Sequence, residues 1–228
     1  MSRFKRWLRI TLLLAVGNAT WHIHWLVFLA YATSVIYVCL SSVGEWSIHN
    51  WALHMEWWFL KFPYRAHHTI HHPRFSGPMY RLEARPKEQR KHDKDLIPMA
   101  KWAFAVIIPI GWAPSLLTAL LLAFVWSWWA EAIVIGGIGL FIATVYFLTY
   151  EAIHMYMHDR LGVEEGPDHL GDIARWLRRK WALPRRIIDW LDRHHDGHHD
   201  NVKKNLNVVF PFADWLFGTL DKSVHTRT

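Results

Sequence analysis

One cysteine, Cys39, stands in a chain of 228 residues, so no intrachain disulfide is available. It lies in an apolar run, where a thiol behaves as a small hydrophobe. Its isolation argues against thiolate zinc sites and iron–sulfur clusters, which need several such ligands. Basic residues are missing over two long stretches. None of the 26 Lys and Arg falls between Ile10 and Val43 or between Trp102 and Tyr150, and Glu131 is the lone acid of the second stretch. A helix needs about 20 apolar residues to cross about 30 Å of hydrocarbon. Both stretches exceed that length. The chain therefore reads as an integral, multi-pass, all-α membrane protein, a single unit over 1–228 with three to four transmembrane helices. Internal repeats, low-complexity segments and flavin or nicotinamide fingerprints are also absent. So is a small-residue cleavage pattern after the basic N-terminal tip, and the start is expected to be retained.

The charges that are present fix an expected orientation. Eight Lys and Arg lie in 73–101 and twelve in 159–228, and basic loops stay in the cytoplasm. Membrane segments are expected at about 8–45 and 102–152, with cytoplasmic parts at about 46–101 and 153–228. The second block holds two helices, with WSWWAE (126–131) as the outer turn and its tryptophans at the interface. In the first block Trp25 to Val43 is one span. Residues 8–24 form a short or re-entrant helix or lie along the surface, and the basic tip favours a cytoplasmic N-terminus. A net charge of +7 is explained by topology and anionic lipid rather than by nucleic acid.

Histidine is in excess, with 17 in all. HHTIHH (67–72) and HHDGHH (194–199) repeat one spacing. Four sets emerge: His49 and His54; His68, His71 and His72; His154 and His158; His195, His198 and His199. Residues three and four apart share a helix face, whereas His49 and His54 stand about 140° apart on a regular α-helix. They serve different ions, or one site if the helix is distorted. All four sets fall at one membrane depth, at or beyond the cytoplasmic ends of the spans. Ten imidazoles exceed one tetrahedral site, so two metal ions are expected, and spacing alone does not name them. His67 and His194 are expected to support the ligands or face solvent, His22 and His24 to sit at the interface, and His92, His169 and His225 on the surface.

The order HxxxxH, HxxHH, HxxxH, HxxHH resembles the fatty acid hydroxylase and sterol desaturase superfamily, closest in pattern to fatty acid 2-hydroxylases, from about residue 45 to 220. GPMYRLEARP (77–86) is similar to that family's PM–YRL–P stretch. YEAIHMYMH (150–158) resembles its tyrosine–acid–HxxxH segment, with Glu151 where Asp is usual. FADWLFGTL (212–220) resembles its closing signature, with Asp214 and Trp215 in this order. The resemblance implies a cytoplasmic di-iron centre held by the ten histidines, with zinc as an alternative occupant on isolation and dioxygen as co-substrate. It implies hydroxylation of a lipid C–H bond, with electrons from a separate donor of ferredoxin or cytochrome b5 type. A lipid desaturase or a carotenoid-ring hydroxylase uses similar histidine sets. A metal-binding or metal-transporting membrane protein is the rival from another class, and it would want ligands inside the spans.

Tyr150 and Glu151 are the candidate catalytic residues, placed to position substrate or a ligand imidazole; an interfacial tyrosine beside a solvated glutamate is the alternative. Asp196 and Asp200 flank the last set as imidazole acceptors or solvated acids. In 172–191, Ile173, Trp176, Leu177 and Trp181 form one face of a basic amphipathic helix suited to the membrane interface, and Pro184 opens a second short helix. Anchoring is the expected role of this segment, with a docking patch for an acidic electron donor as the alternative.

Overall fold

The structure, a computed structural model, describes residues 3–99, 102–162 and 169–225. Every regular element among them is helical. Three long helices dominate: α1 (Arg3–Ser47), which is followed by the short cap helices α2 (Lys61–Tyr64), α3 (His72–Arg74) and α4 (Lys87–Lys94), and then α5 (Trp102–Trp126) and α6 (Trp129–His158). The cap is completed by α7 (His169–Lys180), α8 (Ala182–Asp200) and α9 (Phe212–Leu216). Among the described residues three stretches are long and apolar enough to cross a membrane, Val16–Leu53, Ala103–Trp126 and Trp129–His158. Only 6–28 % of the residues in their most apolar windows are buried. Large side chains such as Phe28, Ile110, Phe124 and Phe141 point outward, which water would penalise and lipid accepts.

No separate helix forms from residues 8–24. With no proline and one glycine between Ile10 and Val43, nothing stops helix propagation, and α1 runs unbroken for 45 residues, about 68 Å at 1.5 Å per residue. The basic tip and the histidine-bearing end therefore occupy opposite ends of one helix. A crossing by α1 would set them on opposite sides of the bilayer, where the charge map expects a shared one. At the other end of the molecule Trp126, Trp128 and Trp129 are exposed around the α5–α6 turn, where Ser127 takes a positive φ of 57°.

Close packing joins the long helices. A Cβ added at Gly139 in α6 would stand 2.0 Å from Ser115 Oγ of α5, so glycine is what permits this approach. Below the spans, Tyr156, Met157, Ile188, Leu191 and Val208 bury one core between α6, α8 and the strap that follows it. Buried acids then brace the basic 73–101 loop internally and, through Asp192, tie it to α8. Asp93 takes Arg74 and Arg85, each at 2.7 Å. Asp192, itself buried, takes Arg81 at 2.9 Å and Arg160 at 2.5 Å. Several cationic side chains of the loop are thus structural partners rather than free surface charge.

The segment 172–191 divides differently from its expected face. Ile173, Trp176 and Trp181 are exposed, while Leu177 packs on the core and Arg175 is buried beside Asp159 and Asp172. Pro184 does fall in the first turn of a helix. That helix, α8, is 19 residues long and carries the HHDGHH cluster.

Candidate metal centre

Two departures from α-helical geometry assemble the histidines. At Ile48–Leu53 and again at Arg65–His71 the chain is π-helical. A π-turn closes i→i+5 bonds, so residues five apart stack on one face. His49 and His54 accordingly stack at 5.1 Å with an interplanar angle of 16°. In the same way His67 and His72 bring their Nε2 atoms to 3.1 Å.

The result is two adjoining groups. His49, His54, His67, His72 and His198 form the first, and His71, His158, His195 and His199 the second, with the ligand nitrogens of each group all within 4.8 Å of one another. In the first, His49 Nε2 lies 2.9 Å from His67 Nε2, and His54 Nε2 lies 3.1 Å from His198 Nε2. In the second, His195 Nε2 lies 3.3 Å from His158 Nε2 and 3.2 Å from His199 Nε2. Two nitrogens each about 2.05 Å from one ion stand about 2.9–3.4 Å apart for bond angles of about 90–109°. The stacked rings of His72 and His199, 4.3 Å apart, form a wall between the groups. Each repeated cluster serves both. HHTIHH sends His67 and His72 to one group and His71 to the other, while HHDGHH sends His198 to the first and His195 and His199 to the second.

Backbone carbonyls set the tautomers. Nδ1–H of His49 donates to Leu206 O at 2.5 Å, that of His198 to Lys204 O at 2.8 Å, and that of His158 to Tyr80 O at 2.9 Å. A carbonyl only accepts, so in each neutral ring the proton sits on Nδ1 and the Nε2 lone pair points into the group. The carbonyls of 204–206 are fixed by Asp214, which is fully buried. Its carboxylate accepts from Leu206 N at 2.9 Å, Asn207 N at 2.8 Å, Thr219 Oγ1 at 2.6 Å and His194 Nε2 at 3.1 Å. Gly197 lets this strap lie against α8, since a Cβ there would meet Val224 Cγ1 at 2.5 Å and Asn205 Nδ2 at 3.0 Å.

The electrostatics suit metal ligation. Burial, reinforced by neighbouring imidazoles such as His198, pushes His54 down to about 2. Burial likewise pushes His71 down to about 3 and His198 down to about 4. His67, His72, His195 and His199 are held well below the ordinary imidazole range for the same first reason. Near neutral pH these rings are uncharged, the form that binds a cation. Nε2 of His71, a member of the second group, is buried with no hydrogen-bond partner among the described residues. A metal ion fits this donor set, because convergent lone pairs with nothing to receive them are otherwise costly.

Eight of the ten spacing-derived histidines enter the two groups. His154 packs beside the second at 5.0 Å from His158 and His195, but its nitrogens lie outside that group. His68 stands at the rim with its Nδ1 2.9 Å from His54 Nδ1. His67, set aside in the sequence, is a full member of the first group, and the π-turn that recruits it has no periodic signature. His194 is buried on Asp214 instead of facing solvent. His92, His22 and His24 are exposed, and the side chains of His169 and His225 lie outside the described residues. Glu151 is buried, with Met99 N donating to its carboxylate at 3.3 Å. Tyr150 lines a cavity of about 320 Å³ between α1, α5 and α6, whose wall also includes His49, Glu45, Tyr146, Ile110 and Phe147.

No protein-family model, curated protein or solved structure matches this chain.

Proposed function

We propose that this protein is a di-iron, dioxygen-dependent hydroxylase of a membrane lipid, a fatty acyl chain or a related apolar substrate, working at the cytoplasmic face. One observation carries the reading: the mostly apolar cavity among the lipid-facing helices is lined at one point by His49 of the first histidine group. An apolar chain entering from the bilayer would have its target carbon beside the metal ligands. The histidine order and the PM–YRL stretch, which resemble the fatty acid hydroxylase and sterol desaturase superfamily, support the same reading. Iron held by the two groups supplies the capacity to activate dioxygen for attack on a C–H bond, which no side chain has.

The chain's own residues do the rest. Leu206, Lys204 and Tyr80 carbonyls orient the imidazoles, and the buried cap keeps them neutral. Apolar residues of α1, α5 and α6 bind the chain and exclude water. The charge bias of the basic loops supports a cytoplasmic centre. Lipid mass spectrometry of a host expressing the chain, against one expressing His71→Ala, tests the proposal. A hydroxylated lipid that gains one atom of labelled dioxygen and disappears in the variant is expected. Unchanged lipid profiles in both hosts contradict it.

A further inference from the structure

An acid inside a membrane span is expensive, and such residues mark sites of binding or proton movement. Glu45 is one of these. It sits near the end of α1, four residues before His49, and both line the cavity. Its carboxylate accepts from Tyr146 Oη at 2.6 Å, from Asn207 Nδ2 at 3.2 Å and from the backbone N–H of Val208. Part of its role is plainly structural, since Asn207 and Val208 belong to the strap behind the histidines. A carboxylate offers about four lone-pair sites, however, and among the described residues three donors reach this one. Every neighbour bonded to it is a donor, so what it presents to the cavity is a hydrogen-bond acceptor.

The same cavity holds a complementary group. Tyr150 is buried, its ring stands 5.5 Å from that of His154, and its hydroxyl has no hydrogen-bond partner among the described residues. An unused acceptor and an unused donor thus share one apolar chamber beside the first histidine group. A hydroxyl group satisfies both at once, donating to Glu45 and accepting from Tyr150, and an amide does so with its N–H and C=O. A free carboxylate cannot donate, and it would set acceptor against acceptor in a medium of low dielectric. The remaining wall, with Ile107, Ile110, Pro114 and Phe147, suits an alkyl chain.

We infer that Glu45 and Tyr150 select a neutral lipid whose polar end carries a hydroxyl or amide, and that the protein discriminates against free fatty acids. This rests on the hydroxylase reading for its meaning, but its test does not depend on turnover. Binding of radiolabelled hexadecan-1-ol and hexadecanoic acid to the purified, metal-loaded protein is measured in detergent at pH 8 under argon. The alcohol is expected to bind about tenfold more tightly, the scale of one well-made hydrogen bond against one buried group left unpaired. Glu45→Gln should reduce the preference to about threefold or less. Tyr150→Phe, which leaves the strap untouched, should weaken alcohol binding about fivefold, and it decides the matter if the Glu45 variant does not fold. Equal or tighter binding of the acid by the unmodified protein overturns the inference, as does unchanged alcohol affinity in Tyr150→Phe. Failure to oxidise any lipid would overturn the hydroxylase reading and leave this result standing.

Discussion

Asp214 shows how much one buried side chain contributes to the centre. It touches no member of either histidine group, yet it holds the strap whose carbonyls orient His49 and His198. Burial alone raises its pKa, but the His194, Thr219 and Asn207 hydrogen bonds together outweigh burial and keep the carboxyl below its ordinary range. Asp214→Asn is expected to destabilise the protein by about 2–3 kcal/mol and to weaken metal binding about 10–100-fold, as loss of a ligand-orienting partner does. Because the folded-state value is the lower one, its stabilisation is complete above about pH 4 and is lost as pH falls through the folded-state value. Thermal melts of the two proteins should therefore differ by a constant amount from pH 8 to 5 and converge only in stronger acid. Identical melts at pH 7 would remove Asp214 from the scaffold. FADWLFGTL announced an aspartate here, but nothing in it disclosed the residues Asp214 would hold, because backbone donors and acceptors leave no trace in a sequence.

At the scale of elements, legibility follows how far a signal is repeated. The three spans were readable, since dozens of consecutive positions lack charge and lipid demands that of each one. The π-turns were not. They shift a register by one residue, and only the ligands they bring together reveal them. Hence regular α-helical spacing sets His49 and His54 about 140° apart, leaves His67 to support the ligands or face solvent, and groups His68 with His71 and His72. Helix contact is a middle case: small residues in α5 and α6 are visible, but the pairing of Gly139 with Ser115 is not. Gly139→Ala is expected to cost about 1–3 kcal/mol through overpacking, seen as a lower melting temperature in detergent. Combining it with Ser115→Gly should restore most of the loss. A single variant that melts like the parent would show that α5 and α6 are not held in this contact.

For the whole molecule, the division between lipid-facing helices and a charged cap determines what must arrive from elsewhere. On the proposed hydroxylase reading each turnover consumes two electrons, and the basic face is the surface expected to receive a donor. Arg178 is poorly placed for that role, because it is bonded to Asp189 at 2.7 Å; Arg179 and Lys180 are exposed. Charge reversal at these two positions should raise the donor concentration needed for half-maximal rate several-fold. Added salt should slow turnover when the donor is limiting, over a Debye length of about 10 Å at 0.1 M. Turnover with NADPH and oxygen alone would refute the requirement for a donor.

The central claim is that nine histidines form two metal sites, and the stoichiometry of bound iron tests it most directly. Protein reconstituted anaerobically with ferrous iron and freed of excess should hold about two ions per chain. His67→Ala or His195→Ala should each lower that value toward one, and His92→Ala should leave it at two. A value of one in the unmodified protein, or retention of two ions in both His67→Ala and His195→Ala, would contradict the two-site account.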